Sequence, residues 1–359
     1  MGSIQQSDIS TQQNISSPNP KNRMRIRWTH LLWVLSPLLL WWALRDIKLA
    51  EVWFEVSQIG LKQIAILAGI NSGIIFLTGA RWWIILRAQG YRIRYSQVTS
   101  YRVVSFGVSY FTPGPQFGGE PVQVYYLYNR HGIPVSSAIA SVSLDKIFEL
   151  LANLLFLIIG VNFTLQTKSN FQISNIQIIM SLTIPFVLLI GYSIAIWIGI
   201  HPLSILLGLV PSKQKYYSVI KSIVTSTEAQ MSKFCRRKPA SVLIASLISA
   251  AIWIAMVAEN WLIVNYLGLK LNPAETIIAL TASRLAFLFP LPGGLGVLEA
   301  GQVAIMNLLV NHPTIGISIS IVMRARDLLI GLVTLFIGLA LRRQKIAPST
   351  IGTSKNTST

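Results

Sequence analysis

Residues 284 to 301 read Arg284-Leu-Ala-Phe-Leu-Phe-Pro-Leu-Pro-Gly-Gly-Leu-Gly-Val-Leu-Glu-Ala-Gly301, and they interrupt an apolar chain that would otherwise suit a membrane. Pro290 and Pro292 remove backbone donors, and Gly293, Gly294 and Gly296 favour geometry outside the helix, so no single helix runs through. Irregular backbone at membrane depth persists only when it is buried in protein or lines a polar cavity. The stretch therefore predicts a re-entrant hairpin: a half-helix in, a bend, and a half-helix back out. Glu299 stands at the start of the returning arm.

The same ingredients occur once more. Thr112-Pro113-Gly114-Pro115-Gln116-Phe117-Gly118-Gly119-Glu120 repeats them in nearly the same order, and a shift of 179 positions lays Pro113 on Pro292, Gly114 on Gly293, Glu120 on Glu299 and Gln123 on Gln302. That shift also lays the apolar run at about 62–86 on the one at about 240–266, with Trp82 on Trp261, and the run at about 136–165 on the one at about 314–341, with Asp145 on Arg324. Matching flanks as well as matching centres predict an internal repeat.

Composition sets the solvent. The chain has 359 residues, 52% of them apolar and only 12% charged, with mean hydropathy +0.57. Several apolar runs reach the ~20 residues that span a bilayer. The net charge of +18 does not indicate nucleic acid, because the basic residues sit at the ends of apolar segments, as topology signals and anionic-lipid contacts do. A single cysteine, Cys235, rules out an intrachain disulfide, and four scattered histidines give no metal site.

Charge at the segment ends orients the chain. Residues 1–27 read as a disordered tail that turns basic at its end, 28–342 as the transmembrane domain and 343–359 as a second disordered tail. Spans are expected at about 28–44, 63–86, 136–165, 175–200, 240–266 and 314–341, and basic clusters follow the second, the fourth and the last. Residues 45–62 are expected as an external loop and 211–239 as a basic cytoplasmic loop. The pattern puts both termini in the cytoplasm, makes the first hairpin dip from inside and the second from outside, and so makes the repeat inverted. The expected fold is all-α and integral to the membrane: about six full spans plus two re-entrant hairpins, about eight by hydropathy. Broken helices in inverted repeats are a transporter arrangement.

Charges inside the spans then become the candidates for chemistry. Asp145, Glu149 and Asn153 share one helical face, and Asp145 sits ~14 Å into its span at 1.5 Å per residue. Arg324, Arg326 and Asp327 lie at similar depth on the last span. Each such charge costs ~2.5–3.5 kcal/mol if it faces lipid, so they must face the interior or one another. Two readings stay open: buried ion pairs that fix packing, Arg324 with Asp327 or with Asp145, or a polar path lined by Asp145 and Arg324. Glu120 and Glu299 either cap their half-helices or line the same path. The glycines Gly118, Gly119, Gly293, Gly294 and Gly296 either cradle an anion with their N–H groups or only let the hairpin tips pack closely. No Ser-His-Asp set and no P-loop is present.

Gly118-Gly119-Glu120-Pro121, then Asp145, then Pro292-Gly293-Gly294-Leu295-Gly296-Val297-Leu298-Glu299, then a late intramembrane arginine resemble the transmembrane flippase domain of lysylphosphatidylglycerol synthases. The resemblance covers about 28–342 and implies movement of a lipid between leaflets. The two-part synthases carry a soluble aminoacyl-transferase domain after this region, whereas about 17 residues follow Arg342 here, so no transferase activity is expected. The expected function is a lipid translocase of the inner (plasma) membrane, without cofactor, metal or catalytic residue, taking an anionic or glycosylated lipid. Glu120, Asp145, Glu149, Glu299, Arg324 and Asp327 are its expected head-group cavity, between tips at Pro113, Gly114, Gly118, Gly119, Pro292, Gly293, Gly294 and Gly296. A separately encoded lipid-modifying enzyme is a possible partner. The alternative is an enzyme that processes glycolipids or polyprenyl phosphates, or its accessory subunit; a structural membrane partner is a third reading.

Overall fold

The computed structural model describes residues 49–111, 118–167, 175–209, 215–289, 291 and 294–343. Within them the chain forms twelve helices and no strand: α1 Leu49–Ser57, α2 Leu61–Ala88, α3 Tyr95–Phe111, α4 Glu120–His131, α5 Val135–Thr167, α6 Asn175–Ile198, α7 Pro202–Gly208, α8 Lys215–Arg237, α9 Pro239–Tyr266, α10 Pro273–Ala286, α11 Val297–Val310 and α12 Pro313–Arg343. Leu61–Ala88, Val135–Gln166, Met180–Ile198 and Pro239–Tyr266 are long and apolar enough to cross a membrane. Helix α12 is as long but carries Arg324, Arg326 and Asp327 near its middle. The expected first span, and the tip residues Pro113, Gly114, Pro292 and Gly293, lie outside the described residues.

The helix bounds follow the shift of 179. Moved by that amount, the starts of α2, α3, α4 and α5 fall within two residues of the starts of α9, α10, α11 and α12. The caps follow it too. Helix α4 ends at Gly132 with φ 62°, and α11 ends at Asn311 with φ 56°, each in the left-handed region that closes a helix C-terminus. Pro134 and Pro313 come two residues later in each case. Helix α10 opens with a reciprocal cap: Glu275 N–H donates to Asn272 Oδ1 and Asn272 N–H donates to the Glu275 carboxylate, both at 2.9 Å.

Both chain breaks read from the glycines and prolines are present. Helix α10 stops before Phe287 and α11 resumes at Val297, with Gly294 at φ 65° and Gly296 at φ 81° between them. On the other side α3 stops at Phe111 and α4 begins at Glu120, with Gly118 at φ 120° just before it. Each break makes a helical hairpin, α3 against α4 and α10 against α11.

Packing joins the two sets of four. Helix α2 lies along α9, α3 packs on α12 and α10 packs on α5. Exchanging the two sets leaves these neighbours unchanged. The two exchanged crossings are tight for the same reason: a Cβ on Gly107 of α3 would sit 2.1 Å from Thr334 Cγ2 of α12, and one on Gly160 of α5 would sit 1.8 Å from Thr281 Oγ1 of α10. Small residues that let helices approach are what holds helices together in lipid, where apolar contact alone gives little preference. Each set also buries its own cluster, Trp82, Leu86, Tyr101 and Leu127 in one and Ile263, Leu298, Met306 and Met323 in the other.

Two segments differ from the sequence expectation. Residues 45–62 include helix α1, which packs on α12 with Glu55 accepting from Ser318 Oγ. Residues 215–237 of the basic stretch 211–239 are helix α8, because one face recurs at helical spacing: Thr227, Glu228, Met231, Ser232 and Cys235 are buried while Lys233, Arg236 and Arg237 face out. Hydropathy averages a one-sided helix with its basic face and so reports a loop. Glu228, 1% exposed, accepts from the N–H groups of Leu203 and Ser204 at 2.9 Å, closing the start of α7 from a neighbouring helix. Glu228→Ala is expected to cost about 2–3 kcal/mol locally, since hydrogen bonds to a charged group are lost together. Hydrogen exchange would show it as faster exchange in residues 202–209; unchanged protection there would contradict the cap.

Candidate functional site

Three groups of charged side chains converge where the two sets of helices meet. In the first, Arg81 of α2 donates Nε to Asp145 Oδ1 at 2.6 Å and one terminal N–H to Ser249 Oγ at 3.1 Å. Arg102 of α3 reaches Asp145 Oδ2 at 2.9 Å and also bonds Glu149. Lys146 bridges Glu149 at 2.7 Å and Glu120, at the start of α4, at 3.2 Å. Asp145 is fully buried, and Arg81 and Asn153 nearly so. Helix geometry sets this up: 145 and 149 are one turn apart and present both carboxylates to α2 and α3.

In the second group Arg326 of α12 bonds Glu259 of α9 at 2.7 Å and its neighbour Asp327 at 2.8 Å, and Asn71 of α2 donates to the same Glu259 oxygen at 2.8 Å. In the third, Arg324 bonds Glu299, whose carboxylate also accepts from Gly296 N–H at 2.8 Å, and Arg324 donates to the Tyr110 hydroxyl at 3.5 Å. The two hairpin glutamates thus behave alike. Glu120 accepts from Gly118 N–H at 2.8 Å and holds Lys146; Glu299 accepts from Gly296 N–H and holds Arg324. Each closes the start of its half-helix and ties it to the long helix that follows.

Between the groups lies a cavity of about 260 Å³ walled by α2, α3, the start of α4, α5, α9, α10 and α12. Arg81, Arg102, Lys146, Arg284 and Arg326 reach its wall, as do Glu120, Glu149, Glu259 and Asp327; Ile74, Ile75, Phe106, Phe287 and Ile330 supply an apolar side. With Asp145 just behind the wall, cations and carboxylates match in number, so the cavity is neutral in sum yet dense in charge. A charged lining of this kind beside an apolar side suits a ligand that is itself half polar and half apolar.

Of the residues singled out in the sequence, Glu120, Glu149 and Asp327 stand on the cavity wall, whereas Asp145, Glu299 and Arg324 sit behind it in ion pairs. Arg324 pairs with neither Asp145 nor Asp327, the partners the sequence suggested; its carboxylate is Glu299. Gly118, Gly119, Gly294 and Gly296 lie at the described hairpin ends and not on the cavity wall. The structure adds Arg81, Arg102, Lys146, Glu259 and Arg284 to the cavity wall. A signal existed for Arg81 and Glu259, each a charge inside an otherwise apolar span, which insertion energetics alone marks out.

Comparison with known families agrees with the residues quoted above. The description of the lysylphosphatidylglycerol synthase TM region matches residues 31–336. No curated protein and no solved structure matches the chain.

Proposed function

The chain belongs to the family of the lysylphosphatidylglycerol synthase transmembrane region, and on that premise we propose that it is a translocase that moves a polar- or anionic-headed lipid between leaflets. It is a multi-pass membrane protein whose ligands are membrane lipids. The observation that carries the translocase reading is the cavity: intramembrane charges from both sets of helices meet in one space that also has an apolar side. A head group would cross through the charged part while its acyl chains stay against the apolar part and the bilayer.

In this reading α3–α4 and α10–α11 are re-entrant hairpins, entering from opposite sides, and the two sets of four helices form an inverted repeat. The matching helix starts, matching left-handed caps and exchanged packing support it. Two half-helix ends held by Glu120 and Glu299 then sit on either side of one midplane site, as alternating access requires. The basic ends of the spans support cytoplasmic termini and the inner (plasma) membrane. Any chemical modification of the lipid falls to a separately encoded enzyme, and this chain works as a carrier and not as a catalyst.

Vesicles test this. Purified protein is reconstituted with trace head-group-labelled lipids, and label in the inner leaflet is followed as it becomes accessible to an impermeant quencher, with and without an imposed pH gradient or membrane potential. The expected result is protein-dependent movement of an anionic lipid, slowed in a graded way by Glu149→Gln. Absence of movement under all conditions would overturn the translocase. A covalently altered lipid in the same vesicles would assign the cavity to glycolipid or polyprenyl-phosphate processing instead.

A further inference from the structure

Four of the five cations on the cavity wall are already in contact with a carboxylate: Arg81, Arg102, Lys146 and Arg326. Arg284 differs. Among the described residues no carboxylate lies within ion-pair distance of it, its Nε has no hydrogen-bond partner, and one terminal nitrogen donates only to the Met256 sulfur at 3.1 Å. A thioether is a weak acceptor. Its guanidinium lies over the Trp253 ring, 5.3 Å from the centroid, and Trp253 is itself stacked on Phe156 at 4.3 Å.

A bland explanation is available: an arginine in the last turn of α10 complements the negative end of the helix dipole. That role would turn the guanidinium toward the closing carbonyls of its own helix. Here it reaches sideways to Met256 and Trp253, both on α9, and lines the cavity. A planar cation held by an aromatic face keeps its edge donors free for a ligand, and that edge matches two oxygens of one phosphate.

We propose that Arg284, stacked on Trp253, is the residue that receives the phosphate of the lipid head group, and that the site selects a phosphodiester monoanion. This rests on the translocase reading for its lipid but not for its chemistry. Selection for a single charge follows from the neighbours. Glu259 and Asp327 share the one cation Arg326, so their set carries a surplus negative charge on the same cavity wall as Arg284. Arg284 offsets that surplus in the empty cavity, so one phosphate charge leaves a single net negative charge on the wall, whereas a second, as on a phosphate monoester, adds another with no cation left to face it. Phe287 and Ile330 line the apolar side of the same cavity, where the glyceryl end of a lipid would leave the site.

The shared chemistry could come from a lipid or from a water-soluble phosphodiester, and the test separates them. Binding is measured by native mass spectrometry in a neutral detergent for phosphatidylglycerol, phosphatidic acid and a glucosyl diacylglycerol of equal acyl chains, and for free glycerophosphoglycerol. The wild-type protein is expected to prefer phosphatidylglycerol over phosphatidic acid and over the uncharged glycolipid. Arg284→Gln is expected to weaken phosphatidylglycerol about tenfold, the effect of losing hydrogen bonds to a charged group, with uncharged glycolipid unchanged. Arg284→Lys keeps the charge and loses the paired donors, so an intermediate loss is expected, and it serves if the glutamine variant does not fold. Phosphatidylglycerol binding at wild-type strength in whichever variant folds would overturn the proposal, as would a wild-type preference for phosphatidic acid. Binding of free glycerophosphoglycerol equal to that of the lipid would overturn the lipid as its source. Arg284-dependent binding without vesicle movement would remove the translocase and keep the site; full-rate movement by Arg284→Gln would do the reverse.

Discussion

Asp145→Ala is expected to remove most of the folded protein, lowering stability by about 3–5 kcal/mol, the cost of breaking a buried ion pair from one side. Asp145 is fully buried, and its two oxygens are held by Arg81, whose side chain is 3% exposed, and by Arg102. Removing the carboxylate leaves two guanidinium groups in a low-dielectric interior with Glu149 as their remaining acid, and Arg81 reaches it only at 3.4 Å. The fluorescence of a tagged protein on size exclusion after heating reads the loss. An apolar double replacement, Asp145→Leu with Arg81→Leu, separates causes, because it removes both members of the closest pair at 2.6 Å. Recovery of part of the stability in the double variant is expected, since an ion pair and an apolar pair of similar volume are often close in energy. A single variant that melts like wild type would mean that the pair does not form.

The sequence was most readable where backbone chemistry is local. Gly118-Gly119 and Gly293-Gly294 with their prolines mark the helix breaks, because a residue that cannot be helical is visible from its own side chain. Span depth was also readable, since 1.5 Å per residue turns a position into a distance along the helix. Azimuth was not. Asn71 bonds Glu259 across 188 positions, and nothing near either residue says which face of α9 meets which face of α2. Arg324 shows the same limit: depth left it two possible acids, and Glu299 wins because the returning half-helix α11 packs against α12. Helix α8 was hidden for a different reason, since its many basic residues lower the average hydropathy that a buried face at Met231 and Cys235 would raise. Arg284 was hidden in plain view at the head of the Pro-Gly stretch, where its meaning depends on the other four cations of the cavity wall having found a carboxylate.

Gly119→Ala is expected to open the first hairpin, at about 3 kcal/mol, the upper part of what overpacking usually costs. The backbone angle is not the reason, because φ at Gly119 is −89°, which any residue adopts. Space is. A Cβ there would stand 2.1 Å from the Ser105 carbonyl oxygen and 2.6 Å from Ser109 Oγ, the same hydroxyl that accepts Gly119 N–H at 2.9 Å. The first of these is backbone of α3 and cannot swing aside as a side chain could, so α4 must move away from α3 as a body. Glu120 is the next residue, and it moves with the shift, drawing its carboxylate from Lys146. Stability and lipid movement should therefore fall together. Gly191→Ala in α6 is the control, since a Cβ there meets nothing within 4 Å and alanine is the better helix former by up to ~1 kcal/mol. Equal melting temperatures for the two variants would show that α3 and α4 do not approach this closely. A destabilised Gly119→Ala that still moves lipid at full rate would separate the hairpin's packing from the path of the head group.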